Sequence, residues 1–225
     1  MKKILYIIAA ILTLSFSSCE SEKSILELAG EGQAFSFNGS TASIQEVLGT
    51  TAYNALTGPL GIPIYTGDNP PSLTGTYNIY SRRLTANYNN PSDPNINTID
   101  NDIIQVNLSN QNNADLTIGY VGMFISLGLD GIPGTGDDET YITESGFGDV
   151  FVSGDTSSGG FTIFIEVAVN GDLEDIDTIA ISGVRTATGI ENLTYAYVSY
   201  DGVGTTGVIS DGLTWTDDDG FSSNL

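Results

Sequence analysis

The sequence predicts an all-β domain, an antiparallel β-sandwich, and three observations predict it. Short runs rich in β-branched and aromatic residues alternate apolar and polar positions with a period of two. Between the runs stand Gly, Asn and Asp, which adopt turn conformations at low cost. Helical periodicity is nearly absent: beyond the first 18 residues only Ser24 to Ala29 suggests a short helical turn.

The chain opens with Lys2 and Lys3, an apolar stretch from Ile4 to Leu14, and the small-residue segment Ser15-Phe16-Ser17-Ser18 before Cys19. That is the layout of a secretory signal peptide. Its apolar run covers 11 positions, about half of the ~20 that a permanent membrane span requires. Phe16-Ser17-Ser18-Cys19 resembles a bacterial lipobox, with Phe16 where Leu is usual. The resemblance implies removal of residues 1–18 and acylation of Cys19, so that the mature chain is attached to a membrane through its lipid anchor. Ordinary cleavage near Ser17 is the alternative, leaving a soluble exported protein with a free thiol. Cys19 is the only cysteine, whereas a disulfide-stabilised exported domain carries paired cysteines. Glu20-Ser21-Glu22-Lys23 resembles the signal that sends some Gram-negative lipoproteins to the outer face of the outer membrane, which implies display at the cell surface. Residues 19–32 then read as a flexible tether and residues 33–225 as a single β domain.

Alternation places strands at Ala34–Phe37, Ser43–Leu48, Thr51–Leu56, Ile62–Tyr65, Gly75–Ser81, Arg83–Tyr88, Ile103–Leu108 and Asp115–Leu127. Further strands follow at Thr140–Thr143, Asp149–Ser153, Phe161–Val169, Thr178–Arg185, Leu193–Tyr200 and Gly207–Trp215. In the clearest of them, Ile163, Ile165, Val167 and Val169 point one way and Thr162, Phe164, Glu166 and Ala168 the other. Val169-Asn170-Gly171-Asp172 and Tyr200-Asp201-Gly202 are hairpin-turn chemistry. Asn87 to Asn101 contains Pro91 and Pro94, so it reads as a surface loop. Gly75-Thr76-Tyr77 resembles the start of lipocalin-like barrels, though without the usual Trp. A lipocalin-like β-barrel is therefore the alternative fold, and it implies a small apolar ligand in the barrel's mouth.

The formal charge is −22, and removal of Lys2 and Lys3 with the signal takes it to −24. From Gln111 onward 19 acidic residues face one base, Arg185. Such a field repels phosphate backbones and excludes nucleic acid as a partner. It also favours bound cations, although adaptation to salt or a need for solubility would produce the same charge.

The most specific candidate site runs from Asp130 to Glu139, Asp-Gly-Ile-Pro-Gly-Thr-Gly-Asp-Asp-Glu. Three glycines and a proline force a tight path, and Asp130, Asp137, Asp138 and Glu139 supply the hard oxygens that calcium takes. The segment resembles Asp/Gly-rich calcium loops of secreted bacterial proteins. It is not an EF-hand, because Tyr141 stands where the bidentate Glu belongs. A solvated hairpin loop is the competing reading. Weaker acidic groups comprise Asn170, Asp172, Glu174, Asp175 and Asp177, and the run Asp217-Asp218-Asp219.

Tyr195, Tyr197, Tyr200, Tyr77, Tyr80, Tyr88 and Trp215 supply rings that would stack on sugars if exposed, or fill a core if buried. The lack of His, and of Cys beyond Cys19, excludes Ser-His-Asp, Cys-His and His-ligated zinc chemistry. Glycoside hydrolysis needs only two carboxylates, but Glu144, Glu166 and Glu191 lie in no recognisable motif. Asp177-Thr178-Ile179 matches a bacterial O-glycosylation acceptor pattern, and Thr178 reads equally well as an ordinary strand residue. The expected function is a non-catalytic, surface-displayed binding or adhesion module, with calcium ordering the acidic loop and a glycan or protein as partner. Capture of a glycan or nutrient for an outer-membrane uptake system, and glycoside hydrolysis, are the alternatives.

Overall fold

The computed structural model describes residues 36–224 except 81, 101, 129–130, 132–134, 147–148, 170–175 and 202–207. The predicted signal peptide, Cys19, the tether and Asp130 lie outside the described residues, as do the predicted turns at Asn170-Gly171 and Gly202. Among the described residues a helical segment, α1 (Thr41–Thr57), kinked at Gly49, precedes thirteen strands. These are β1 (Asp68–Asn69), β2 (Gly75–Ile79), β3 (Arg82–Asn87), β4 (Ile99–Asp100), β5 (Ile103–Asn112), β6 (Thr117–Ser126) and β7 (Glu139–Gly146). Then come β8 (Phe151–Asp155), β9 (Gly160–Val169), β10 (Ile176–Arg185), β11 (Gly189–Asp201), β12 (Val208–Asp217) and β13 (Phe221–Ser223).

The all-β antiparallel expectation holds, and the strands form one sheet. Strands adjacent in the chain are adjacent in space from β5 through β12, β7 and β8 together filling the place between β6 and β9. β12 pairs β11 and β13 continues along the same neighbour, at Gly189–Glu191. β2 pairs β5, while β3, two residues further on, pairs β12. A single stretch of chain thus joins both ends of the sheet, and a bridge between Tyr77 and Asn224 adds to the closure. The expected sandwich-like layering is kept within one curled sheet, whose two ends come together as in a barrel. Among the described residues only β1, which pairs β8, runs parallel to its neighbour.

Alternation sorts each strand into an inner and an outer face. Ile163, Ile165 and Val167 of β9 and Ile179 and Ile181 of β10 point into the barrel, where they meet Tyr77, Ile104, Ile118 and Tyr195. Phe164 and Ala180 from the same two strands point outward beneath α1. Both faces of β9 and β10 are therefore buried, and each fully buried aliphatic or aromatic side chain contributes roughly 1.5–3 kcal/mol.

The helix replaces two predicted strands, Ser43–Leu48 and Thr51–Leu56. Its buried apolar positions are Ile44, Val47, Leu48, Ala52, Ala55 and Leu56, one helical stripe. Ser40 caps it, its hydroxyl accepting from the Ser43 amide at 3.3 Å. Gly49 interrupts the stripe with φ +71°, and this break makes the sequence look like two short β-branched runs.

Of the predicted strand Ala34–Phe37 only residues 36 and 37 are described, and neither lies in a strand, although Phe37 is buried. The predicted strand Ile62–Tyr65 is not a strand either. The latter segment lies on the sheet's outer surface and pairs with side chains: Thr162 Oγ1 accepts from the Tyr65 amide at 2.8 Å, and Ser153 Oγ donates to the Tyr65 carbonyl at 2.6 Å. These contacts explain fully buried hydroxyls on β8 and β9. The expected surface loop after Asn87 is exposed along most of its length, and the two residues of β4 pair with Arg82 and Arg83.

Candidate functional site

The last residues of β6, β9 and β11 and the first of β7, β10 and β12 lie at one end of the barrel, and polar side chains join the apolar ones on the inner face there. β7 carries Glu144 at an inward position, two residues after Ile142. The Glu144 carboxylate is 3% exposed. Tyr120 of β6 donates to its Oε2 at 2.8 Å, and the Tyr195 hydroxyl of β11 lies 2.7 Å from Oε1 and 2.9 Å from Oε2. Gly122 makes the arrangement possible: a Cβ there would stand 2.1 Å from the Tyr120 hydroxyl and 2.8 Å from Glu144 Oε2.

Above this cluster lies a cavity of about 170 Å³ lined by Phe124, Ile142, Glu144, Asp177, Tyr197, Ser199 and Trp215. Asp177, at the start of β10, accepts a hydrogen bond from the Ser199 hydroxyl. Tyr197 stacks on Trp215 with ring centroids 5.7 Å apart, and its hydroxyl donates to Asp211 at 3.0 Å. Phe124 meets Trp215 edge-on at 6.0 Å. Arg82 packs its guanidinium 5.4 Å from the centroids of both Phe124 and Trp215. It pairs with Asp100 at 2.7 Å and Asp102 at 3.3 Å, and it donates to the Tyr141 hydroxyl at 3.0 Å.

Burial disfavours the charged carboxylate and pushes Glu144 up to about 7, with the negative charge of Asp177 adding to the rise. The hydrogen bonds from Tyr195 and Tyr120 oppose it. Both tyrosines are raised well above their ordinary value, by burial first and by the Glu144 charge second. The site therefore holds a carboxyl group that changes charge near neutrality among phenols that stay protonated.

The predicted acidic loop joins β6 to β7 at this same end of the barrel. The Thr135 hydroxyl donates to Asp137 at 2.7 Å and its amide to Asp138 at 3.2 Å, so both carboxylates brace their own turn. Glu139 is exposed at the start of β7. Among the described residues no three or more Asp, Glu or Cys side chains form a metal-holding group. The run at Asp217 to Asp219 is used structurally. Asp217 accepts from Ser222 at 2.6 Å, Asp218 pairs with Arg83, and Asp219 accepts from the Phe221 amide at 2.9 Å. Of the second acidic group, Asp177 lines the cavity and residues 170–175 lie outside the described residues. Thr178 is 2% exposed, which closes it to glycosylation in the folded chain.

Of the rings, Tyr77 and Tyr195 are fully buried, Tyr88 and Tyr200 pack against the outer core cluster that includes residues of α1, Tyr80 is half-buried, and Tyr197 and Trp215 line the cavity. Sequence reasoning overlooked Glu144 as a site residue. The available signal was a charged residue in phase with an inward aliphatic, Ile142, on a strand whose Thr143 points outward.

No family model, curated protein or solved structure matches the chain. Among the described residues no helix is long and apolar enough to cross a membrane.

Proposed function

We propose that this chain is an exported lipoprotein, anchored through Cys19 at the outer membrane and displayed at the cell surface, that binds a small ligand in the end of its barrel. The observation that carries the binding reading is the cavity itself: aromatic walls from Phe124, Tyr197 and Trp215, with acceptor oxygens from Glu144, Asp177 and Ser199. Apolar walls with a few converging polar groups are the usual make-up of a ligand site. At about 170 Å³ the cavity lies below the roughly 300–1,000 Å³ of sites for drug-sized ligands, so its occupant is small.

The anchor is tested by labelling cells with an alkyne fatty acid. Label lost in Cys19→Ala supports the anchor, and label retained in that variant overturns it. Binding is tested by measuring the thermal midpoint against a library of small metabolites. A ligand that shifts wild type and loses its effect in Asp177→Asn supports the site; a library without effect overturns it. Calcium at Asp130 to Glu139 belongs to the same proposal as the ion that orders a loop at this end. A 1 mM calcium-specific rise in midpoint, lost in Asp137→Asn with Asp138→Asn, is its signature.

A second reading, glycoside hydrolysis, has one observation in its favour. Glu144, raised to about 7, shares a cavity with a second carboxylate, Asp177. Release of nitrophenol from chromogenic glycosides, abolished in Glu144→Gln, would establish it in place of simple binding.

A further inference from the structure

We propose that the turn joining β12 to β13 is a cation site, in which Asp217 and Asp219 together hold a hard divalent ion, calcium or magnesium. The site is separate from the cavity and from the acidic loop between β6 and β7.

Asp217 ends β12 in phase with Trp215, and it is 6% exposed. Ser222 of β13 donates to its Oδ2 at 2.6 Å, whereas Oδ1 is buried and has no hydrogen-bond partner. A neutral hydroxyl in that position loses one hydrogen bond; a carboxylate oxygen is a charge held away from water, which costs far more. A buried acceptor left in this way calls for an ordered water or an ion.

The two bases on β3 do not supply the partner. Arg82 is the register neighbour of Asp217, but its guanidinium turns to Asp100 and Asp102. Arg83 turns to Asp218. Beside Asp217 stands a second carboxylate instead, that of Asp219, close enough for side-chain contact and with a charge that opposes its own. Asp219 is exposed, and the Phe221 amide orients it by donating to Oδ1 at 2.9 Å. The Gly220 amide closes the turn on the Asp217 carbonyl at 3.2 Å.

Two touching carboxylates, one of them buried, repel each other unless a proton or a cation lies between them. Hard divalent cations take carboxylate oxygens and complete their shell with water. Asp217 Oδ1 is the inner ligand and Asp219 the outer one, and the exposure of Asp219 leaves the remaining places to water. With two protein side chains the affinity falls at the weak end of the range for such ions, about 0.1–1 mM. The ion also acts on the fold. Asp217 is bonded to Ser222, and β13 pairs β11 at Gly189–Glu191, so a cation in the turn fastens the last strand to the barrel.

Terbium, which resembles calcium in size and in its preference for oxygen, is the probe. Trp215 is the only tryptophan and lies two residues from Asp217, so terbium excited through it reports on this turn. The full chain is titrated in detergent at fixed ionic strength, with Asp137→Asn and Asp138→Asn introduced to silence the loop between β6 and β7. Saturable terbium emission is expected, displaced by millimolar calcium or magnesium, and the ion that displaces it at the lower concentration is the one the site prefers. Asp219→Asn alters an exposed side chain and should weaken binding about tenfold or more. Glu191→Gln removes the same charge from an exposed position opposite Phe221 and should change binding by less than about twofold at that ionic strength. Equal weakening by the two variants would reduce the effect to the general acidic field and overturn the site. Emission that survives Asp219→Asn unchanged, or that never saturates, would overturn it as well.

Discussion

Tyr195 and Glu144, 51 residues apart in the chain, meet inside the barrel, the hydroxyl 2.7 Å from one carboxylate oxygen and 2.9 Å from the other. One phenol thus spans the whole head of the carboxylate, and Tyr120 supplies a second donor at 2.8 Å. This holds Glu144 in one orientation, facing both the core and the cavity.

Glu144 makes stability depend on pH with a definite sign. In the barrel it titrates at about 7, against an ordinary value of 4.5. Between these values the folded chain keeps a proton that the unfolded chain has released, so stability falls as pH rises through the window and levels off above it. The total is about 3 kcal/mol. Glu144→Gln should match wild type near pH 4.5 and be the more stable above pH 7, as read by urea unfolding across the range; parallel curves would refute it.

Removing the spanning phenol should move the carboxyl further. The Tyr195 hydrogen bond lowers the Glu144 value, so Tyr195→Phe should raise it. Carbon-13 NMR of labelled glutamate would show the Glu144 titration displaced upward. The variant should lose about 1.5–3 kcal/mol at pH 8, where the acceptor is charged, and less at pH 5.

Arg82 joins an exterior ion pair to an interior wall. Burial works to raise Asp100, but the Asp102 amide and the hydrogen bond and charge of Arg82 outweigh it and hold the carboxyl low. Arg82→Met keeps an apolar chain over Phe124 and Trp215 while removing the charge. It should cost about 2 kcal/mol, raise the Asp100 titration, and change Trp215 emission. Unchanged emission would mean that the guanidinium does not lie on that ring.

Gly67 connects three segments through its backbone. Its amide donates to the Gly39 carbonyl at 2.9 Å, and its carbonyl accepts from Gly154 at 3.1 Å. Its φ is +136°, and a Cβ there would stand 2.4 Å from the Gly154 carbonyl. Gly67→Ala should cost about 3 kcal/mol or more in denaturant unfolding. Gly61→Ala, with φ +66° and nothing within 4 Å, is the control and should cost only about 1 kcal/mol.

The strands from β5 to β12 were legible because each has an inner and an outer face, so that period-two alternation survives even where both faces are apolar. The helix was not, because Val47, Thr50 and Thr51 carry β-branched side chains and Gly49 splits the stripe; packing of Ile44 and Leu56 beneath the loops and against the sheet overrides local propensity. The inward positions of Glu144 and Asp177 were visible in phase with Ile142 and Ile179. Their meeting with Tyr120 and Tyr195 was not, since it depends on register and on how the sheet curls, and neither is written in any one strand. The acidic loop drew attention because its composition is local, whereas the cavity is assembled from five strands, β6, β7, β10, β11 and β12.

The closure of the sheet differs at its two ends. Around the cavity, β3 and β12 share a ladder from Arg82 to Asn87, whereas lower down β2 and β13 meet through the single bridge of Tyr77 and Asn224. The barrel behaves like a hoop with a rigid rim and a seam at its base. Thermal breathing will part the wall at the seam first, giving fast amide exchange there, while the rim around Glu144 and Trp215 keeps its dimensions.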